Sequence, residues 1–312
     1  MIKRIINNQE TSTEGFEHLY PFKSNFITIN GHKLHYLDEG SGKPVLMIHG
    51  NPTWSFYFRN LVKELSFKEK SNGYRTIVPD HIGCGFSDKP DESNYDYSLK
   101  NRVDDITLLV NSLDLKPDEK ISLIVHDWGG MIGLAWALNN LDRVDKIVIT
   151  NTSGFFLPED KKFPLRLWLI KYLNFFAIPA VLGLNIFSQA ALYMAPFRKL
   201  SKDVKKGLVA PYNSWKNRIA TLKFVQDIPI TEKDKSYGMV KYVDMNLSRF
   251  KKIPMIILWG KHDFVFDLLF LKEWKLRFPR VPVHLFEDAG HYLFEDKPHE
   301  TLAIIKQFLS SS

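Results

Sequence analysis

The stretch Ile121-Ser122-Leu123-Ile124-Val125-His126-Asp127-Trp128-Gly129-Gly130 limits what this chain can fold into more than any other. A β-branched and aliphatic run that ends in polar and then small residues reads as a strand turning sharply into a helix. The next residues, Met131 to Leu138, supply the helix, and Gly129, Gly130 and Gly133 leave room for it to pack closely on the sheet. By shape this is a nucleophile elbow. The common version has Ser at the apex between glycines two residues away on each side, whereas here the apex is Asp127, so a reacting atom at this turn is a carboxylate oxygen. Asp is also a favoured N-cap residue, and taken alone Asp127 is explained equally well as a cap. The flanking chain has to decide between the two.

Other strands of the same kind surround the elbow. Phe26–Asn30 and Lys33–Leu37, separated by Gly31-His32, alternate and read as an antiparallel hairpin. Pro44–His49, Arg75–Asp80, Val144–Thr150, Pro254–Gly260 and Pro282–Phe286 are apolar runs of the sort buried on both faces of a sheet. Trp54–Leu65 and Tyr97–Leu113 read as helices between them. This alternation implies an α/β fold, a doubly wound and mostly parallel sheet. Ligands of such sheets sit beyond the carboxyl ends of the strands, where Asn51, Asp80, Asp127, Asn151, Asp263 and His291 lie. From Thr152 to Ile230 the alternation gives way to short apolar helical stretches broken by prolines, read as an inserted helical cap over residues 152–230, between core segments 1–151 and 231–312.

Of 312 residues, 45% are hydrophobic and 25% charged, enough for a large core without staples. A single cysteine, Cys84, excludes an internal disulfide framework, and Met1–Glu10 lacks the apolar run of an export signal, so a cytoplasmic location is expected. The net charge of +7 is localised: Lys161–Lys206 holds nine basic residues against Asp203 alone. With no zinc-finger, RRM or helix-turn-helix pattern, nucleic-acid binding is not expected. The basic, apolar cap is read instead as a contact surface for a membrane or a multienzyme assembly, against the simpler reading of a solvated face. Lys171 and Arg198 bound a stretch with no charged side chain, but Asn174, Pro179, Gly183, Asn185 and Ser188 interrupt it, which favours cap helices over a membrane span.

A carboxylate nucleophile needs a base and an acid to orient that base. His291 follows the last strand in Asp288-Ala289-Gly290-His291, and Asp263 follows the strand before it, with Asp267 as the competing acid. The order Asp127, Asp263, His291 is nucleophile, acid, base. The backbone N–H groups of Asn51 and Trp128 would form an oxyanion hole, and their side-chain N–H groups are suited to hold a departing anion. No metal or organic cofactor is implied, and the expected ligand is a hydrophobic small molecule.

Together, His49-Gly50-Asn51-Pro52, Asp80-His81-Ile82-Gly83-Cys84-Gly85, His126-Asp127-Trp128-Gly129-Gly130 and the late Asp263 and His291 resemble the haloalkane dehalogenases of the α/β-hydrolase superfamily. Asn51 and the position of Asp263 are similar to the third dehalogenase subfamily. More narrowly, Val78–Gly85, Ala210-Pro211-Tyr212, Asn217–Leu222 and Phe224–Pro229 are similar to the β-lactone decarboxylases of bacterial long-chain olefin biosynthesis. The resemblance implies either decarboxylation of a long-chain cis-β-lactone to a cis-alkene or hydrolysis of a haloalkane. For a lactone, attack at the sp³ carbon and attack at the carbonyl are both drawable. Epoxide hydrolases share Asp followed by Trp and need two cap tyrosines, for which Tyr172, Tyr193 and Tyr212 are available. A non-catalytic ligand receptor on the same fold is the remaining alternative.

Overall fold

The computed structural model describes residues 12–66, 73–116 and 118–311, so the stretch Met1–Glu10, read above for the lack of an export signal, lies outside the described residues. Eight strands form one sheet: β1 (Asn25–Ile29), β2 (His32–Gly40), β3 (Lys43–Ile48), β4 (Tyr74–Pro79), β5 (Ile121–Asp127), β6 (Val144–Thr152), β7 (Met255–Gly260) and β8 (Val283–Phe286). Their spatial order is β1-β2-β4-β3-β5-β6-β7-β8, antiparallel at the β1/β2 and β2/β4 pairs and parallel from β4 to β8. The core helices are α1 (Arg59–Ser66), α2 (Leu99–Ser112) and α3 (Trp128–Leu138). Between β6 and β7 lie α4 (Leu165–Tyr172), α5 (Asn174–Ala177), α6 (Ile186–Met194), α7 (Lys202–Val209), α8 (Ile219–Gln226) and α9 (Tyr237–Asn246). The chain closes with α10 (Leu268–Arg277), α11 (Leu293–Asp296) and α12 (Pro298–Ser310).

The parallel strands β3, β5, β6 and β7 read as continuous apolar runs because each face of the sheet has its own core, whereas β8, expected to be buried on both faces, is an edge strand and only partly buried. Leu46, Ile48, Leu123, Val125, Ile147, Ile149 and Ile257 pack into the cluster with α2, α3 and α10. Their neighbours in sequence, Val45, Met47, Ile124, Val148, Ile256 and Leu258, pack into the cluster with α1 and α12. Successive side chains on opposite faces are a consequence of strand geometry, and burial on both faces leaves no polar alternation to see.

Two helices start later than the sequence pattern suggests. Trp54 is extended, with its indole N–H donated to the Gly207 carbonyl at 3.0 Å, and Ser55–Phe58 is a 3-10 turn leading into α1. The Ser55 N–H is held at 2.7 Å by Asp80 Oδ1, a tertiary contact that overrides local helix preference. At the other helix, the Leu99 N–H is satisfied by Asp227 Oδ2 at 2.7 Å, which fixes the first turn of α2 at that residue. Among the described residues, no single helix is long and apolar enough to cross a membrane, and the apolar pair Leu165–Tyr172 and Asn174–Gly183 is bent by 98°.

Helix α3 lies very close to the sheet. A Cβ on Gly129 would collide with the backbone carbonyl of Ile48, one on Gly130 with the side chain of Thr152, and one on Gly133 with Val125. Gly129→Ala is therefore expected to destabilise the fold by about 1–3 kcal/mol, because the obstacle is backbone and has no rotamer to yield. Urea denaturation checks this, and an unchanged midpoint would contradict the tight seating of α3.

Candidate active site

The strand-to-helix turn holds Asp127 at φ 53° and ψ −129°, a left-handed conformation that costs a non-glycine residue free energy and persists only when its surroundings fix it. Thr152 Oγ1 donates to the Asp127 carbonyl, and Gly129 and Gly130 allow the close approach just described. The strained turn projects the carboxylate beyond the sheet. Its Oδ1 accepts the backbone N–H of Asn51 at 3.0 Å and of Trp128 at 2.5 Å. Thus the two amides expected to form an oxyanion hole already hold one oxygen of Asp127, and Oδ2 faces His291 Nε2 at 3.3 Å.

His291 stands on the loop after β8, and its Nδ1 lies 2.7 Å from Asp263 Oδ2. Asp263 is fully tied down: Oδ1 accepts from the N–H groups of Val265 at 2.7 Å and Phe266 at 3.0 Å, and Oδ2 also accepts from Asn151 Nδ2 at 2.9 Å. Asp267, the competing acid, instead caps α10 through the Leu269 N–H and pairs with Lys161 at 2.5 Å. Burial alone disfavours a charged ring at His291, but the carboxylates of Asp263 and Asp127 outweigh it and push its pKa up to about 10. For Asp127, burial acts to raise the pKa, and the hydrogen bond and charge of His291 with the Trp128 N–H overcome it, so the net displacement is downward. The ring of His291 is thereby held in its protonated form at neutral pH.

Sequence reasoning passed over two residues of this site. Asn151, in sequence only a polar residue past a strand end, donates to Asp263 and accepts the Gly260 N–H at 2.8 Å. His126 donates from Nε2 to the His291 carbonyl at 2.8 Å, which fixes its tautomer, and its ring lies 4.6 Å from that of His291. Burial and the neighbouring His291 charge hold His126 down to about 3, so it stays neutral. Its place one residue before the apex is the signal that was available. Asp80, by contrast, does not join the site: it bonds His35 at 2.7 Å, the Ser55 N–H and the Phe86 N–H at 2.9 Å, and so braces the loops beside β4.

Asp127 and His291 open into a cavity of about 410 Å³. Its walls come from the cap and from the loops after β6 and β7, including Phe155, Leu167, Ile170, Phe187, Val225 and Phe266. Asn51 and Trp128 line it too. The Asn51 carboxamide donates one N–H to the Thr221 carbonyl at 3.0 Å, which fixes its orientation and leaves the second N–H for a ligand. The indole of Trp128 stands 5.6 Å from the Phe224 ring. Of the tyrosines considered as epoxide proton donors, Tyr172 and Tyr193 are exposed, and Tyr212 is buried with its hydroxyl donated to the Thr53 carbonyl at 3.1 Å. None of the three lines the cavity.

Because the His291 pKa lies above the ordinary imidazole value, its protonated form contributes stability that is fully present below about pH 6.5. That contribution is lost as pH rises through about 10. Asp263→Asn removes one of the two charges responsible and should lower the alkaline limb of both stability and activity by about one pH unit or more. A pH–rate profile together with thermal melts across the alkaline range checks this, and an unmoved limb would mean that Asp127 alone holds the proton.

Residues 43–298 match the family described as alpha/beta hydrolase fold. A "cis-3-alkyl-4-alkyloxetan-2-one decarboxylase" from Shewanella oneidensis is 48% identical over 94% of this chain and 90% of its own length. "Haloalkane dehalogenase 2" from Mycobacterium bovis is 28% identical over 93% of this chain and 96% of its own. A solved haloalkane dehalogenase from Bradyrhizobium elkani superposes with a TM-score of 0.81 at 21% identity, over 93% of this chain and 100% of that one, a likeness of fold. With the elbow, the parallel sheet and the family match over that span in agreement, the chain belongs to the alpha/beta hydrolase fold family.

Proposed function

We propose that this enzyme decarboxylates a cis-3,4-dialkyl-β-lactone to a cis-alkene and CO₂, with Asp127 as nucleophile, His291 and Asp263 completing the triad, and Asn51 and Trp128 stabilising the departing carboxylate. The observation that carries the substrate choice is the much higher identity to the oxetanone decarboxylase than to the dehalogenase, at similar coverage. The geometry supplies the chemistry. Asp127 Oδ2 is the oxygen left free by the backbone amides, and it faces an apolar cavity suited to alkyl chains.

A balanced sequence of steps follows from that placement. Oδ2 attacks the ring carbon that bears the lactone oxygen, from the side opposite that oxygen. The carbon–oxygen bond breaks, its electron pair passes to the lactone carboxyl, and an ester forms on Asp127 while the new carboxylate remains attached to the neighbouring carbon. That carboxylate then leaves as CO₂, its bond pair becomes the alkene, and the ester bond to Oδ2 breaks to restore Asp127. Backside attack sets the aspartyl oxygen anti to the carboxylate with both alkyl groups on one side, so elimination without bond rotation delivers the cis-alkene. No water and no net proton enter. The free N–H of Asn51 and the indole N–H of Trp128, neutral donors on the cavity wall, suit a carboxylate that must be held and then released.

His291 serves this sequence as a cation. It neutralises Asp127 in the resting site and receives its returning charge at the end. Hydrolysis of a haloalkane would need the same ring as a neutral base, which it becomes only when esterification removes the Asp127 charge. The single cysteine, Cys84, is buried, which suits a reducing compartment, and a cytoplasmic location is part of this proposal.

With a long-chain cis-β-lactone, the enzyme is expected to release alkene and CO₂ in equal amounts, and Asp127→Asn to lose turnover by roughly four orders of magnitude or more while remaining folded. His291→Ala should slow alkene formation without accumulating an ester, since no hydrolytic step is left to stall. The same variant given a 1-bromoalkane should show a lasting mass increment on Asp127. Release of bromide by the native enzyme with no alkene from the lactone would reverse the assignment.

A further inference from the structure

Several residues that line the cavity are also exposed at the surface: Leu157, Phe176, Ile186, Met194, Ile230 and Phe264. They mark its mouth, together with Arg166, whose guanidinium lies 3.4 Å from Met194 Sδ. Next to these mouth residues in the chain stand the most exposed apolar side chains of the cap: Phe175 at 81%, Leu184 at 72%, Leu165 at 70% and Tyr193 at 69%. A monomeric soluble protein has no reason of its own to gather such side chains around one opening. Trp168 and Tyr172, on the same helix as Leu165, are exposed as well, and residues of this type favour the level of lipid headgroups.

Cations predominate beside this patch, although Glu159 and Asp160 are exposed next to Leu157 and Glu232 next to Ile230. Lys162, Arg166, Lys199 and Lys202 are exposed, and none has a carboxylate partner among the described residues. The bend of 98° between Leu165–Tyr172 and Asn174–Gly183 rules these helices out as a straight span but suits shallow insertion of their outward side chains.

We propose that the outer face of the cap docks on an anionic lipid membrane, Leu165, Phe175, Leu184 and Tyr193 entering the apolar layer and the unpaired cations meeting acidic headgroups. The cavity mouth then opens into the phase where a dialkyl substrate dissolves and its alkene product belongs. That benefit rests on the long-chain reading of the substrate, whereas the docking itself does not.

Sedimentation with vesicles of phosphatidylcholine, with and without phosphatidylglycerol, tests the docking in the absence of substrate. The native chain should bind the anionic vesicles and be released by salt. Lys162→Gln, Lys199→Gln and Lys202→Gln combined should weaken binding about a hundredfold, at roughly fivefold per cation removed. Phe175→Ser with Leu184→Ser should weaken it tenfold or more. Both variants should keep native turnover of lactone in detergent micelles and lose it selectively when lactone is presented in vesicles. Absence of vesicle binding, equal binding to neutral vesicles, or a patch protected instead by a second copy or by another protein would overturn the proposal. Loss of lactone turnover with vesicle binding intact would leave the docking standing and count against the substrate reading alone.

Discussion

Two buried carboxylates, Asp127 and Asp263, face the single ring of His291, and their charges push its pKa up to about 10. Removing ions from water costs several kcal/mol each, and only close, well-satisfied partners offset it. Asp263 has four such partners, and Asp127 has two backbone amides besides the ring. The difference between them is directional. Every lone-pair position of Asp263 that matters is occupied, whereas Asp127 has one oxygen fixed and one turned toward the cavity. That difference fits the proposed roles, Asp263 as orienter and Asp127 as nucleophile.

The backbone that delivers Asp127 depends on a second constraint. A left-handed aspartate survives at the apex because its carbonyl is held by Thr152 and because the residues after it have no Cβ to push α3 off the sheet. Thr152 is the last residue of β6, paired with Asp127 in the sheet, so the strand register and the strained turn stabilise each other. Asn151, also in the left-handed region at φ 36°, reaches from the same strand end to Asp263. Two strained residues on adjacent strands thus carry the two halves of the triad. The glycines and the polar strand ends are one device, and changing any part of it is felt in the others.

Much of this was legible in the sequence, for reasons that can be named. Buried parallel strands announce themselves as unbroken apolar runs whose ends mark the carboxyl edge of the sheet, which makes Asp127 and Asp263 legible; His291 is legible from its place after the last strand, although that edge strand is only partly buried. What could not be read was which strand-end residues turn toward one another. Asp80 and Asn151 look alike in sequence, each polar and each after a buried strand, yet Asp80 is taken up by His35 and two loop amides while Asn151 meets Asp263. That choice depends on strand order, with β6 beside β7 and β4 on the other half of the sheet. The start of α1 was hidden for a related reason. Trp54 and Ser55 favour no particular geometry locally, and contacts with Gly207 and Asp80, distant in the chain, decide their conformation.

On the proposed roles, the same three residues could run two reactions, and the timing of the His291 proton would separate them. In the resting site both carboxylates keep the ring charged, so a water beside it finds no base. Once Asp127 is an ester, one of the two supporting charges is gone and the ring becomes easier to deprotonate. Hydrolysis has to wait for that change, for a water to enter an apolar cavity, and for the water to reach a carbonyl whose oxygen rests on the Asn51 and Trp128 amides. Decarboxylation waits for none of these, because its leaving group is already attached to the neighbouring carbon and departs as a neutral gas. A lactone adduct therefore collapses along the path that needs no further component, while an alkyl ester derived from a halide has only the hydrolytic path. The fold fixes the first step, and the substrate, through what it leaves tethered next to the ester, fixes the second.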